Sequence, residues 1–198
     1  MIHLIFAYLL GAIPFGYLIP KLFLGKDVRD YGSGNIGFTN VMRTFGFKLG
    51  SIVLIADIAK GFVAVKFAQQ TDSLILPLAA AVFVALGHNY SVFLKFQGGR
   101  GIATSAGALL ALMPQVVAVL FIIWAVVLLI SRYVSLASIL AAASFPVLTA
   151  LAGYPWQYIL FSLALAAMAI YRHKPNITRL LAGTELKLGQ KGEKRNEQ

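Results

Sequence analysis

Nearly all the charge in this 198-residue chain is confined to a few short segments, and the stretches between them are long and apolar. A helix needs roughly 17–25 apolar residues to cross the hydrocarbon core of a bilayer. The ranges 2–24, 49–68, 73–94, 134–152 and 156–171 read as such helices. The stretch from Ile102 to Ile130 is too long for one untilted crossing and is interrupted at Met113-Pro114-Gln115, where proline favours a break. Hydrophobic residues make up 59% of the chain and charged residues 12%, against about a quarter charged in a soluble domain. A soluble core of this size cannot bury that much apolar surface, so lipid must cover it. The expected class is an all-α polytopic membrane protein, a single domain over 1–198. The first apolar run, Ile2 to Leu24, has no basic lead and is too long for the core of a signal peptide, so it reads as an uncleaved membrane helix.

Charge places the connections. Lys and Arg number 17 against 7 Asp and Glu, a net charge of +10. Most of the basic residues lie in 25–48, 95–101 and 172–198, while the turns at Gln69–Ser73 and Gly153–Gln157 carry none. Basic loops mark the cytoplasmic side. Arg100 and Arg132 then lie on the same side, which requires an even number of crossings between them. Two short helices, 102–112 and 115–131, turning at Pro114, meet that requirement. The count becomes seven, with the N-terminus outside and the C-terminus cytoplasmic. Lys66, near an outer helix end, is placed to snorkel. Nucleic acid is excluded as a partner, because the basic residues fall singly between apolar runs. The absence of cysteine excludes a thiol nucleophile, a Cys-ligated metal and a disulfide. The small residues Ser135, Ala137, Ser138, Ala141, Ala142 and Ser144 read as a helix-packing face, with Ser138 near enough to the cytoplasmic end to line a pocket. The lysine-rich tail 187–198 reads as disordered or lying on lipid headgroups.

Three cytoplasmic segments are too rich in donors for plain connections. The first runs Gly32-Ser33-Gly34-Asn35-Ile36-Gly37-Phe38-Thr39-Asn40 and is followed by Arg43. Its glycines let backbone N–H groups converge into an anion nest. Ser33, Asn35, Thr39 and Asn40 add side-chain donors, and a helix starting near Thr39 adds its positive end. The second is Gly87-His88-Asn89-Tyr90, then Gly98-Gly99-Arg100-Gly101, where a diglycine and an arginine at a helix start repeat the phosphate logic. The third is Arg172-His173-Lys174-Pro175-Asn176-Ile177-Thr178-Arg179, then Gly183-Thr184-Glu185. There Lys174 and Arg179 read as a positive-inside anchor, while His173 and Asn176 add a titratable ring and an amide at the membrane edge.

Asp57 and Lys60 share a helix face at i, i+3 and read as an internal ion pair. No His-x4-Asp pair, Gly-x-Ser-x-Gly elbow or His-Glu-x-x-His occurs, and no acidic pair suits Mg²⁺ in the second and third segments. Covalent and metal-dependent mechanisms are therefore disfavoured, and no cofactor is expected. Two other classes compete with an enzyme: a transporter of an anionic metabolite, and a scaffold that binds anionic lipid. The transporter would use the same basic cradles, but no inverted repeat is visible. The scaffold accounts for the charge but not for the glycine–asparagine loops.

Taken together, Gly32–Val41 with Arg43, Gly87–Tyr90 with Gly98–Gly101, and Arg172-His173 with Asn176 resemble the bacterial membrane acyl-phosphate:glycerol-3-phosphate acyltransferases, the PlsY family. Asp57, Lys60-Gly61 and the run Arg132–Ser138 resemble it too. The resemblance implies seven helices in the inner membrane, a cytoplasmic-face site and a monomer. It implies acyl transfer from acyl phosphate to the 1-hydroxyl of sn-glycerol 3-phosphate, giving lysophosphatidic acid and phosphate. Ser33, Arg100 and His173 are then the expected catalytic residues. Gly32, Gly34, Asn35, Gly37, Thr39, Asn40, Arg43, His88, Asn89, Gly98, Gly99, Ser138 and Asn176 are expected to bind substrate. One position departs from the family pattern: Arg100 stands where lysine is usual. The base is left open between a histidine and the departing phosphate.

Overall fold

Proline and glycine set most of the helix ends. The structure, a computed structural model, describes residues 1–194. Helix α1 (Ile2–Ala12) meets α2 (Phe15–Leu24) at a bend of 41°, so the single helix expected over 2–24 is two. Pro14 stands at the break, where it has no N–H to continue the ladder. The carbonyls freed there are taken up by other segments: Ser91 Oγ donates to Ala12 O at 2.5 Å and Lys60 Nζ to Ile13 O at 3.0 Å.

Helix α3 (Phe38–Phe45) opens after Gly37, as the donor-rich loop implies, and α4 (Phe47–Ala68) follows. Helix α5 (Ile75–Asn89) ends earlier than the expected 73–94, and a 3-10 turn over Val92–Leu94 follows it. Helices α6 (Ile102–Leu112) and α7 (Pro114–Ser131) divide at Met113, with Pro114 in the first turn of α7. Helices α8 (Val134–Leu151), α9 (Trp156–Arg172) and α10 (Lys174–Leu181) complete the chain. Among the described residues there is no strand beyond an isolated bridge between Tyr31 and Lys194.

Three helical stretches, 75–94, 114–131 and 134–151, are by themselves long and apolar enough to cross a bilayer, and the bent α1–α2 pair makes a fourth. Helix α6 is about 16 Å long at 1.5 Å per residue, shorter than a hydrocarbon core of roughly 30 Å. Large apolar side chains such as Leu22, Phe23, Leu129, Ile130 and Leu151 point outward, which suits a lipid-facing belt.

Glycine lets two helix pairs cross at backbone contact. A Cβ on Gly11 of α1 would strike the Val84 backbone, and one on Gly87 of α5 would strike that of Tyr8. In the α4–α6 crossing, Gly61 lies against the Thr104 backbone and Gly107 against that of Ile58. Helix α7 packs on α8, and α8 on α9. The region expected to be a loose tail differs: over Lys187–Lys194 the chain folds back across the first loop, held by backbone hydrogen bonds. The remaining four residues of that expectation lie outside the described residues.

Candidate active site

The first loop is shaped by Asn40. Its Nδ2 donates to the carbonyls of Val28, Tyr31 and Asn35 at 3.3, 3.0 and 2.9 Å, and its Oδ1 accepts from Ser33 N–H at 3.0 Å. Gly32 and Gly34 supply φ values of +53° and +70° at the turn. Asn40 was expected to bind substrate, but its amide is committed to the loop backbone, so it acts as organiser. Among the described residues, no hydrogen bond takes up the N–H groups of Asn35, Ile36, Gly37, Phe38 or Thr39. These form the remaining nest, at the positive end of α3.

The diglycine works differently from the cradle expected of it. Gly98 N–H donates to Asn89 O at 3.2 Å and Gly99 N–H to His88 O at 3.0 Å, so neither amide is available to an anion. A Cβ at Gly98 would strike the His88 carbonyl, and one at Gly99 the His88 imidazole. The two carbonyls accept from Arg172, whose Nε and NH2 reach Gly99 O at 3.1 and 2.9 Å and whose NH2 reaches Gly98 O at 3.0 Å. The diglycine thus fits the chain between α5 and α9 and presents Arg100.

Arg100 has no hydrogen bond or ion pair among the described residues. Burial, reinforced by the neighbouring charge of Arg179, lowers its pKa to about 10, and Arg172 and Arg43 act in the same direction. It remains charged at neutral pH. Arg43 NH2 donates to Leu186 O at 2.8 Å, while its Nε is buried and unpartnered. Burial holds Arg43 below the usual arginine value, opposed by nearby Glu185.

Glu185 is the one acid in this cluster. Its Oε1 accepts from Ser135 Oγ and Asn176 Nδ2, both at 2.7 Å, and its Oε2 from Arg179 Nε at 2.7 Å. Burial alone would raise the carboxyl; those hydrogen bonds outweigh it and hold the group below the usual carboxylate range. His173 is 2% exposed. Its Nδ1 lies 2.7 Å from Ala169 O, which assigns the proton to Nδ1 and leaves Nε2 as an acceptor. Burial pushes its pKa down to about 4, against the hydrogen bond to Ala169 and with the repulsion of Arg100. At neutral pH the ring is uncharged.

These groups surround a cavity of about 360 Å³. Its polar end is formed by Ser33, Asn35, Gly37, Thr39, Asn40, Arg43, Arg100, His173, Asn176, Glu185, Ser135 and Ser138, with Asp57 and His88 beside them. An apolar groove continues from that end between α6, α7, α8 and α9, past Ala106, Leu109, Phe121, Trp124, Ala142, Phe145 and Leu165. A second cavity of about 350 Å³ adjoins it, sharing Ser33, Asn35 and Arg100 and adding Gly34, Gly98, Arg172, Lys174 and Arg179. Of the expected binding residues, Gly32, Asn89 and Gly99 line neither cavity.

His88 is also committed elsewhere. Its Nδ1 lies 2.9 Å from Lys60 Nζ and 3.6 Å from Asp57 Oδ1, and Lys60 pairs with Asp57 at 2.8 Å. The expected ion pair thus has a third member, and His88 reaches the cavity only as part of its wall. The residues missed from sequence are Glu185, Ser135, Arg172 and Arg179. One signal was present: Glu185 is the sole acid between Asp72 and Glu193, set among lysines and arginines. Among the described residues, no cluster of three or more His, Asp or Glu suits a metal ion.

A sequence profile described as glycerol-3-phosphate acyltransferase matches residues 1–183, ending short of the C-terminal segment. Over 191 residues the chain is 49% identical to glycerol-3-phosphate acyltransferase 2 of Moorella thermoacetica, covering 96% of this chain and 98% of the relative. It is 45% identical over 184 residues to the glycerol-3-phosphate acyltransferase of Aquifex aeolicus, covering 91% and 95%. The fold matches the crystal structure of PlsY (YgiH), an integral membrane glycerol 3-phosphate acyltransferase, in its glycerol 3-phosphate form. The TM-score is 0.91 at 42% identity, over 95% of this chain and 94% of the other. Against the lysophosphatidic acid form of PlsY the TM-score is 0.87 at 40% identity, with the same coverage.

Proposed function

Because the chain belongs to the glycerol-3-phosphate acyltransferase family, as an integral membrane protein of the PlsY type, we propose that it acylates the 1-hydroxyl of sn-glycerol 3-phosphate. The donor in this reading is a fatty acyl phosphate, and the products are lysophosphatidic acid and inorganic phosphate, in phospholipid biosynthesis. The observation that carries the reading is one cavity that joins a cationic polar end to an apolar groove. Arg43 and Arg100 line that end, Arg172 and Arg179 line the adjoining cavity, and the Glu185 carboxylate lies among them. That surplus suits two phosphate groups, and the groove suits an acyl chain. Nothing in the geometry favours a carrier over an enzyme.

Acyl phosphate is already activated, so the protein has to bind, orient and stabilise charge. Arg43 and Asn176 hold the glycerol phosphate in this reading. Ser33 and the free amides from Asn35 to Thr39 hold phosphoryl oxygens, and Arg100 follows the leaving phosphate. The 1-hydroxyl is positioned within about 3–3.5 Å of the acyl carbon. The new C–O bond forms as the acyl carbon–phosphate oxygen bond breaks. With a pKa of about 4 in the protein alone, His173 is a weak base at neutral pH. Its Nε2 orients the hydroxyl, and the proton leaves with the phosphate. No step calls for a metal. The reading takes the protein as a monomer with the polar end of the cavity at the cytoplasmic face of the inner membrane.

The test is purified protein with palmitoyl phosphate and glycerol 3-phosphate, following phosphate release. Turnover should survive EDTA and should require acyl phosphate. Loss of turnover in EDTA, or equal turnover with acyl-CoA as sole donor, would sink the proposal.

A further inference from the structure

The C-terminal segment lies beyond the part of the chain that carries the family motifs, yet it touches the first loop at several points. Arg43 NH2 donates to Leu186 O at 2.8 Å, and Gly192 N–H donates back to Arg43 O at 3.4 Å. Gly32 N–H donates to Glu193 O at 2.8 Å, beside the bridge between Tyr31 and Lys194. At its other end the segment is anchored to the turn between α7 and α8. There Leu188 N–H donates to Arg132 O at 2.7 Å, and the Lys187 ammonium lies 5.5 Å from the centre of the Tyr133 ring.

The crossing is close enough to constrain the sequence. A Cβ on Gly192 would stand 2.6 Å from Thr44 Oγ1 and 3.3 Å from Gly32 Cα. One on Gly32 would stand 3.2 Å from Gly192 Cα. Two glycines facing each other let two backbones meet where side chains would hold them apart.

We propose that Leu186–Lys194 is a fixed strap that positions Arg43 and the Gly32–Gly34 turn for glycerol 3-phosphate, resting on the substrate reading above. The strap does not line the cavity; it acts through Arg43 and the loop. Gly32 N–H would otherwise lack its partner, and the φ of +53° at Gly32 would lose its support. Among the described residues the strap makes no hydrogen bond to Arg100, and its anchor on α7 and α8 is at their shared turn.

Two measurements test this. Deleting residues 190–198 should raise KM for glycerol 3-phosphate about five- to tenfold, as expected for one or two lost neutral hydrogen bonds, and leave KM for acyl phosphate within twofold. Tyr31→Cys with Lys194→Cys, in a chain that has no other cysteine, should close a disulfide across the strap, since the two residues face each other in the antiparallel bridge. Turnover with the bond closed should match that after reduction.

An unchanged KM in the deletion, an equal rise in both KM values, or a disulfide that does not close would overturn the strap. So would turnover lost on closing and restored by reductant, because a segment that must leave is a lid. If the deletion does not fold, the disulfide still decides. If the parent protein shows no turnover at all, the substrate reading falls while disulfide closure continues to report on the strap.

Discussion

In the proposed reaction Arg43 and Arg100 both serve phosphate, and the structure gives them different surroundings. Arg43 is tied to Leu186 O, whereas Arg100 has no protein partner among the described residues and borders both cavities. A contact kept from ground state to transition state acts on KM, and one that strengthens as phosphate departs acts on kcat. Arg43→Ala should therefore chiefly raise KM for glycerol 3-phosphate, and Arg100→Ala should chiefly lower kcat. Each loss should be about 1.5–3 kcal/mol, or ten- to a hundredfold. Arg100→Lys should be milder than Arg100→Ala, because the charge is kept. Steady-state kinetics on folded variants checks all three, and wild-type constants in both alanine variants would remove these residues from the site. His173 carries a pH signature. Its pKa of about 4 in the fold lies below the ordinary 6.5, so the unfolded chain binds more protons between those values. The stability from keeping it neutral is full above pH 6.5 and is lost as pH falls toward 4. The shift corresponds to at most about 3 kcal/mol. His173→Gln should flatten the fall in unfolding temperature over that window, and an unchanged profile would refute the assignment.

At the scale of elements, two devices hold the site in place. One is the glycine crossing of α4 and α6, which sets where Asp57 and Arg100 sit relative to each other. Gly61→Val or Gly107→Val would push a side chain into opposing backbone, and overpacking of this kind costs about 1–3 kcal/mol or more. Thermal unfolding in detergent should show it; a wild-type midpoint in both would mean that the helices are not in backbone contact. The other is the network of Asp57, Lys60 and His88, which caps the α1–α2 break through Ile13 O. Removing one member leaves a buried charge unpaired, so Lys60→Met alone should cost about 3–5 kcal/mol. Lys60→Met with Asp57→Leu should cost less than the single change. A double variant weaker than the single would show that the pair itself is the stabilising unit. Much of this level is legible in sequence. The break at Pro114, the helix after Gly37 and the Asp57–Lys60 face follow from spacing alone. The bend at Pro14 does not, because Pro20 stands inside α2 without breaking it; at Pro14 it is Ser91 and Lys60 that take up the freed carbonyls.

For the whole molecule, the charge pattern makes a claim about orientation that labelling can check. Positions 25–48, 95–101 and 172–198 should face the cytoplasm, and the turn Gln69–Ser73 the outside. In a chain without cysteine, Asp72→Cys should react with an impermeant thiol reagent from outside intact cells, and Thr184→Cys should react only after lysis. The reverse pattern would invert the topology and move the cationic cavity to the wrong face for a cytoplasmic substrate.

The membrane class, most of the helical ranges, the family and the three segments that line the candidate site are legible in the sequence alone. Each is written in local terms: apolar length, the sign of charge, and the order of glycine, asparagine and arginine. Which of those donors remains free was decided by the tertiary structure. The amides of Gly98 and Gly99 are taken by Asn89 and His88, the side chain of Asn40 by its own loop, and the ring of His88 by Lys60. Glu185 joins the site from 142 positions beyond Arg43, and the C-terminal strap crosses Gly32 from farther still. A hydrogen-bonding group has a partner or lacks one only once distant segments are packed beside it, so spacing along the chain shows where donors are but not which are left for a substrate.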